Sequence, residues 1–273
     1  MNLIRVLDAA DPRISAFRDV KERDLTGRQG LFVAEGEVVL RVLASGASRC
    51  EPVAVLIAGK RLEALRGVLE GLPEDVPVHT APQDVLDGIA GFHLHRGILA
   101  LGRKPAPLAL EGFLDGLPER AVVVGACGIG NHDNMGGLFR NAAAFGAAGL
   151  LLDATCCDPF YRKAIRVSVG AALRTPFVES VTAAVMVKAL KARDFEVLAL
   201  TPSAAETLGR LKPAPRTAIL LGSEGPGLPA EVIASCRPLA IRMSGGFDSL
   251  NVAATSAVAL HHLTTAPEAL EAS

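Results

Sequence analysis

Between Lys21 and Lys104 the chain alternates short apolar runs with amphipathic stretches, and this alternation limits its fold more than any other feature. The strand-like runs LFVAEG, VAVLIAG, VPVHTAP and GILALG are separated by the helix-like EVVLRVLASG, KRLEALRGVLEGL and QDVLDGIAGF. A second series follows: AVVVGA, GLLLDAT, PFVES, EVLALTP, TAILLGS and PLAIRM, interleaved with GGLFRNAAAFG, TAAVMVKALKARD and NVAATSAVALHHLT. Such a succession implies an α/β protein whose C-terminal half is a mostly parallel sheet with helices on both faces. Between the series, KPAPLALEGFLDGLPER carries prolines 105, 107 and 118, which break both periods. The expected division is therefore 1–103, a linker at 104–119, and 120–273.

Charge and cysteine usage narrow the function classes. The formal net charge of −1 excludes a wholly basic nucleic-acid binder, so any nucleic-acid contact must be a local patch. Five cysteines without a CxxC pair make neither a disulfide framework nor a zinc site; Cys50, Cys127 and Cys236 read as small buried hydrophobes. The N-terminus mixes charges throughout and nowhere do 18 apolar residues run together, which gives the expectation of a soluble, cytoplasmic protein without a membrane partner.

In parallel sheets ligands bind beyond the carboxyl ends of the strands. Here AVVVGA is followed by CGIGNHDNMGGLFRNAAAFG, TAILL by GSEGPGL, and PLAIRM by SGGFDSLN. Glycines 125, 128 and 130 do not give the dinucleotide fingerprint GxGxxG, GSEGPGL lacks the Lys-Ser/Thr pair of a phosphate loop, and no GxSxG elbow marks Ser223 or Ser244 as nucleophile. Gly222, Gly225, Gly227, Gly245 and Gly246 would let backbone approach a flat ligand. One such loop is a weak signal, and three strand ends together point to a site.

NMGGLFRNAAAFGA (134–147), LLGSEGPGL (220–228) and IRMSGGFDSLNVAA (241–254) resemble, in order and spacing, the three motifs of the SpoU, or TrmH-like, branch of the SPOUT RNA methyltransferases. GLFVAEGEVVLRVLASG and HLHRGILALG are more loosely similar to the substrate-binding domain, related to ribosomal protein L30e, that precedes the catalytic domain in many members. One departure is Arg242, where the family usually has Pro.

The resemblance implies a trefoil knot in the C-terminal sheet, S-adenosylmethionine as cofactor, no metal, and methylation of a ribose 2′-hydroxyl in rRNA or tRNA by a homodimer. It implies Leu221, Gly222, Gly227, Ile241, Met243, Ser249 and Leu250 around the cofactor, and catalytic roles for Asn134, Arg140, Glu224, Ser249 and Asn251. Asn134 is expected to begin or cap a helix, with Arg140 six residues on facing the same cleft. An arginine is effectively always protonated, so Arg140 reads better as an alkoxide-stabilising cation than as a base. Glu224 would orient that guanidinium, bind elsewhere in its loop, or serve as a helix N-terminal acid; Ser249 and Asn251 would alternatively cap the last helix.

Arg162, Lys163, Arg166 and Arg174 in YRKAIRVSVGAALR have no acidic residue beside them in sequence and resemble the family's RNA-facing segment, with Arg96, Arg103 and Lys104 as its extension. His93 and His95 have no third metal ligand near them; His261 and His262 suit the negative pole of the last helix; His132 and Asp133 carry no assigned role. Two alternatives stay open: methylation of a base nitrogen by the same fold, and a catalytically silent RNA-binding or ribosome-assembly protein.

Overall fold

The computed structural model describes residues 1–18, 26–27, 29–90, 97–244 and 249–265, so Arg96, His93, His95, Gly245 and Gly246 lie outside the described residues. The chain forms two compact units, one of Met1–Pro105 with Asp158–Arg174, the other of Ala106–Cys157 with Thr175–Ser273.

The first unit holds strands β1 (Asn2–Arg5), β2 (Leu31–Glu35), β3 (Glu51–Ala58), β4 (Pro77–Ala81) and β5 (Ile98–Arg103), with helices α1 (Glu37–Leu43), α2 (Leu62–Glu70) and α3 (Gln83–Ala90). The sheet order is β1-β4-β3-β5-β2, with β1 and β3 parallel to β4, and β5 antiparallel to β2 and β3. The continuous apolar runs of β3 and β5 occupy the middle, where both faces are covered; Leu56, Leu86, Leu99 and Leu101 join Ile14 and Phe17 in one core cluster. β1 escapes the sequence pattern because it is a short, largely exposed edge strand.

Residues 158–174 fold onto this same unit. Phe160 stacks on the fully buried Phe32, ring centroids 5.1 Å apart, Lys104 Nζ donates to Asp158 Oδ2 at 2.5 Å, and the Arg49 N–H donates to the Leu173 carbonyl at 2.9 Å. Aromatic and ionic contacts, which periodicity does not report, thus give the first unit a segment that sequence position assigns to the second.

The second unit comprises α4 (Leu110–Asp115), β6 (Ala121–Ala126), α5 (His132–Ala144), β7 (Gly149–Leu152), β8 (Phe177–Val178), α6 (Ala183–Lys191), β9 (Glu196–Leu200), β10 (Arg216–Leu221), α7 (Ala230–Ala234), β11 (Arg237–Leu239) and α8 (Val252–Thr265). Its order is β11-β9-β10-β6-β7-β8 and every neighbouring pair is parallel, as the strand–helix succession predicts. From β6 the chain moves outward through β7 to β8, then returns to the other side of β6. The order reverses between β6 and β10, which opens the crevice at their carboxyl ends.

The stretch 104–119, expected as a linker, contains α4, whose Leu110 and Leu114 are buried in the core with Val123, Leu151, Leu190 and Leu220. Its prolines lie before and after the helix, positions where proline delimits rather than breaks it. Leu114→Ala should therefore destabilise the second unit by about 2–5 kcal/mol, the cost of a cavity in a packed core. Urea denaturation followed by circular dichroism checks this, and a loss below about 0.5 kcal/mol, the range of surface substitutions, would mean a linker in fact as well as in composition.

Candidate functional site

Three chain segments meet beyond the carboxyl ends of β6 and β10. The first is the start of α5. Asn131, with extended backbone, caps it by accepting the Asp133 N–H on Oδ1 at 2.8 Å. Asn134, expected as the start or cap, instead sits in the first turn, only 5% exposed, with its amide free for other partners.

The second segment is the loop after β10. Gly227 N–H donates to the Ser223 carbonyl at 3.1 Å, closing the loop back on itself, and both Gly225 and Gly227 have positive φ. A Cβ on Gly222 would lie 2.2 Å from the Gly227 carbonyl carbon, so this turn excludes every other residue at that position. The third is the entry to α8, where Asn251 Oδ1 accepts the N–H groups of Ala253 and Ala254 at 2.9 and 3.3 Å.

One hydrogen-bond cluster ties the three together. Asn134 Nδ2 donates to Glu224 Oε1 at 2.9 Å, and Asn251 Nδ2 donates to Asn134 Oδ1 at 2.8 Å and to Glu224 Oε1 at 3.3 Å. Glu224 is therefore the acceptor joining the first and third segments, in place of a partner for Arg140 or an acid at α7. Below the cluster, α5 and α8 pack closely: a Cβ on Gly137 would fall 2.5 Å from that of Ala253. Asn141 Nδ2 donates to the Ala253 carbonyl at 2.7 Å and to Ser256 Oγ at 2.8 Å. Asn141 and the buried Ser256 were not distinguishable in sequence from ordinary helix polar residues.

Beside the cluster lies a cavity of about 490 Å³. Leu221, Gly222, Gly227, Ile241, Met243, Ser249 and Leu250, the residues expected around a cofactor, all line it, with Glu224 and Asn251. The sequence reading omitted the end of β9, where Leu200, Thr201 and Pro202 form another wall, together with Leu239, Val252 and Thr255. The EVLALTP strand end was the available signal.

Arg140 stands apart. It is exposed, does not line the cavity, and makes no hydrogen bond or ion pair with the described residues. Six residues along an α-helix rotate the side chain to roughly 120° from the starting position, so Arg140 faces solvent where Asn134 faces the cluster. The expectation that both face one cleft is corrected on this geometry.

Arg162, Lys163, Arg166 and Arg174 belong to the first unit, and Arg162 and Arg166 approach the Glu35 carboxylate, an acid remote in sequence. Of the expected extension, Lys104 is engaged by Asp158 and Arg103 by Glu51 at 3.7 Å. His262 Nε2 lies 3.0 Å from the Leu211 carbonyl, and His261 packs edge-on against Phe145. Burial pushes the Cys127 and Cys156 thiols up to about 12, so near neutral pH neither supplies a thiolate nucleophile. Among the described residues no cluster of three or more His, Cys, Asp or Glu is placed to hold a metal, and no helix is long and apolar enough to cross a membrane.

Residues 121–261 match the SpoU rRNA Methylase family. An uncharacterised tRNA/rRNA methyltransferase of Mycobacterium tuberculosis is 36% identical over 270 residues, covering 95% of this chain and 91% of its own. One from Mycobacterium bovis is 35% identical with the same coverage. Among solved structures, an AdoMet-bound rRNA methyltransferase from Sinorhizobium meliloti superposes with a TM-score of 0.81 at 20% identity, covering 96% of this chain and 97% of that one. An RNA 2′-O ribose methyltransferase superposes with a TM-score of 0.76 at 25% identity, covering 95% and 98%.

The double duty of Asn251 gives a test of the cluster. Asn251→Ala removes cap and amide together and should lower stability by about 1–2 kcal/mol. Asn251→Asp keeps the capping acceptor but sets a second carboxylate against Glu224, so it should be no more stable than Asn251→Ala. Calorimetric melting at neutral pH decides; an Asp variant as stable as the parent would show that the amide contact to Glu224 contributes nothing.

Proposed function

The chain belongs to the SpoU rRNA Methylase family, and on that premise we propose that it transfers a methyl group from S-adenosylmethionine to a ribose 2′-hydroxyl of ribosomal or transfer RNA. The observation that carries the reading is the cavity formed by the β9, β10 and β11 ends beside the Asn134–Glu224–Asn251 cluster. The ribose hydroxyl, rather than a base nitrogen, is favoured by the similarity to the RNA 2′-O ribose methyltransferase.

The residues present fit the cofactor. A cavity of about 490 Å³ is of the size that holds a nucleoside-scale ligand. Leu200, Leu221, Ile241 and Leu250 would take the apolar face of a purine, and the hydroxyls of Thr201, Ser249 and Thr255 its polar groups. When bound, S-adenosylmethionine supplies an electrophilic methyl carbon on a sulfonium.

What the chain must add is alignment and stabilisation of the charge that develops on the attacking oxygen as its proton leaves. The interlocked amides of Asn134 and Asn251 and the carboxylate of Glu224 fix the loops that shape the cavity, so alignment is built before substrate arrives. Arg140, on the solvent side of α5 and without a hydrogen bond or ion pair among the described residues, would meet the attacking oxygen from outside the cavity, where the RNA approaches. A cation that stays protonated at neutral pH stabilises an alkoxide without acting as a base. The reading includes a homodimer: Val258, 44% exposed, leaves apolar surface along α8 for a second copy to cover.

Purified protein should move labelled methyl from S-adenosylmethionine into rRNA or tRNA; a folded, cofactor-binding protein that labels neither would overturn the reading. In single-turnover assays Arg140→Ala should slow transfer by at least roughly a hundredfold, the scale of losing one transition-state donor. Melting temperature and cofactor affinity should stay unchanged, since the side chain supports no described contact. A near-normal rate would remove Arg140 from the mechanism. Arg140→Lys separates charge from shape: rescue marks simple charge stabilisation, and failure a geometry that only the planar fork supplies.

A further inference from the structure

Glu35 ends β2 with its side chain only 10% exposed, and its Oε2 is shielded from solvent yet accepts no hydrogen bond from the described residues. Among the described residues, Arg166 Nη1 lies 3.6 Å and Arg162 Nε 4.0 Å from it. These arginines stand four residues apart on the short helix Arg162–Val167, hence on one face of it. Burying a carboxylate is costly unless charge compensates it. Two guanidiniums at these distances do so by charge, without either committing a hydrogen bond to Oε2.

The backbone of that helix is held independently of Glu35. Ala164 and Ile165 are buried, Phe160 stacks on Phe32 just before it, and after it a Cβ on Gly170 would lie 3.1 Å from the Val42 side chain. With the helix fixed by packing, the carboxylate is a negative charge that both guanidiniums share. Arg166 is 57% exposed and Arg162 33% exposed, so both side chains reach solvent. A planar guanidinium has five donors and suits the oxygens of a phosphate.

We propose that Glu35 is a positioning residue for RNA recognition, its buried carboxylate holding Arg162 and Arg166 together as a clamp for a backbone phosphate. The proposal rests on the RNA methyltransferase reading above. It differs in sign from the simpler view that these arginines are only a charged patch. In a patch, removing a nearby negative charge strengthens attraction for RNA; in a clamp, removing the carboxylate splays the arginines and weakens it.

The test uses the full chain, deproteinised rRNA and bulk tRNA as probes, and the isosteric Glu35→Gln. The dissociation constant and the KM for RNA should rise about tenfold, the scale of one charge-assisted contact. The kcat at saturating RNA, S-adenosylmethionine affinity and melting temperature should hold, and Glu35→Asp, which keeps the charge on a shorter stem, should recover part of the loss. RNA binding that is unchanged or tighter in Glu35→Gln overturns the proposal. So does a joint fall in melting temperature and cofactor affinity, which marks a merely structural acid. The double variant Arg162→Ala with Arg166→Ala separates the levels. If it binds RNA as the parent does, the clamp fails while methyl transfer stands, whereas a parent that methylates no RNA sinks the functional reading itself.

Discussion

The site depends on one carboxylate oxygen accepting from two amides. Glu224 Oε1 takes the Nδ2 protons of Asn134 and Asn251, and those two side chains are themselves hydrogen-bonded. Each belongs to a different stretch of chain, far apart in sequence, that a parallel sheet alone would bring near without fixing. Hydrogen bonds to a charged acceptor are worth about 1.5–3 kcal/mol where water is excluded and less at an exposed group such as Glu224. The cluster therefore acts as a register device more than as a source of stability. It sets the loop after β10 against the starts of α5 and α8, and the cavity takes its shape from that arrangement.

The loops can meet so closely because of what is missing at two positions. Gly222 has no room for a side chain beneath the returning Gly227–Leu228 backbone, and Gly137 lets α8 approach α5 until Asn141 reaches the Ala253 carbonyl. Polar groups near the site are thus spent on holding backbone, leaving Arg140 as a cation on α5 without a partner among the described residues. In the first unit the converse holds: Arg162 and Arg166 are gathered around a buried acid, and the aromatic stack of Phe160 on Phe32 fixes the helix that carries them.

Much of this was legible before any coordinates. AVVVGA, EVLALTP and TAILLGS are uninterrupted apolar runs, and a strand buried on both faces of a parallel sheet demands such runs, so β6, β9 and β10 fall where expected. The residues that the family resemblance implied around a cofactor, among them Leu221, Ile241 and Leu250, do line the cavity. Failures came where tertiary contact overrode local pattern. Leu110 and Leu114 were hidden among prolines, β1 was too short and too polar to register, and no local rule told that Glu35 meets the helix at Arg162. Arg140 illustrates a subtler limit: spacing placed it near Asn134 along the helix, but rotation about the axis put it on a different side.

The central claim is that the cavity and its cluster serve methylation of a ribose oxygen in RNA. The most direct measurement maps 2′-O-methyl positions across total rRNA and tRNA from cells with the gene, without it, and complemented with Arg140→Ala. The account predicts at least one ribose methylation that vanishes with the gene and is not restored by the variant. Complete retention of every ribose methyl, with loss of a base methyl instead, would contradict it and assign the same fold to a base nitrogen.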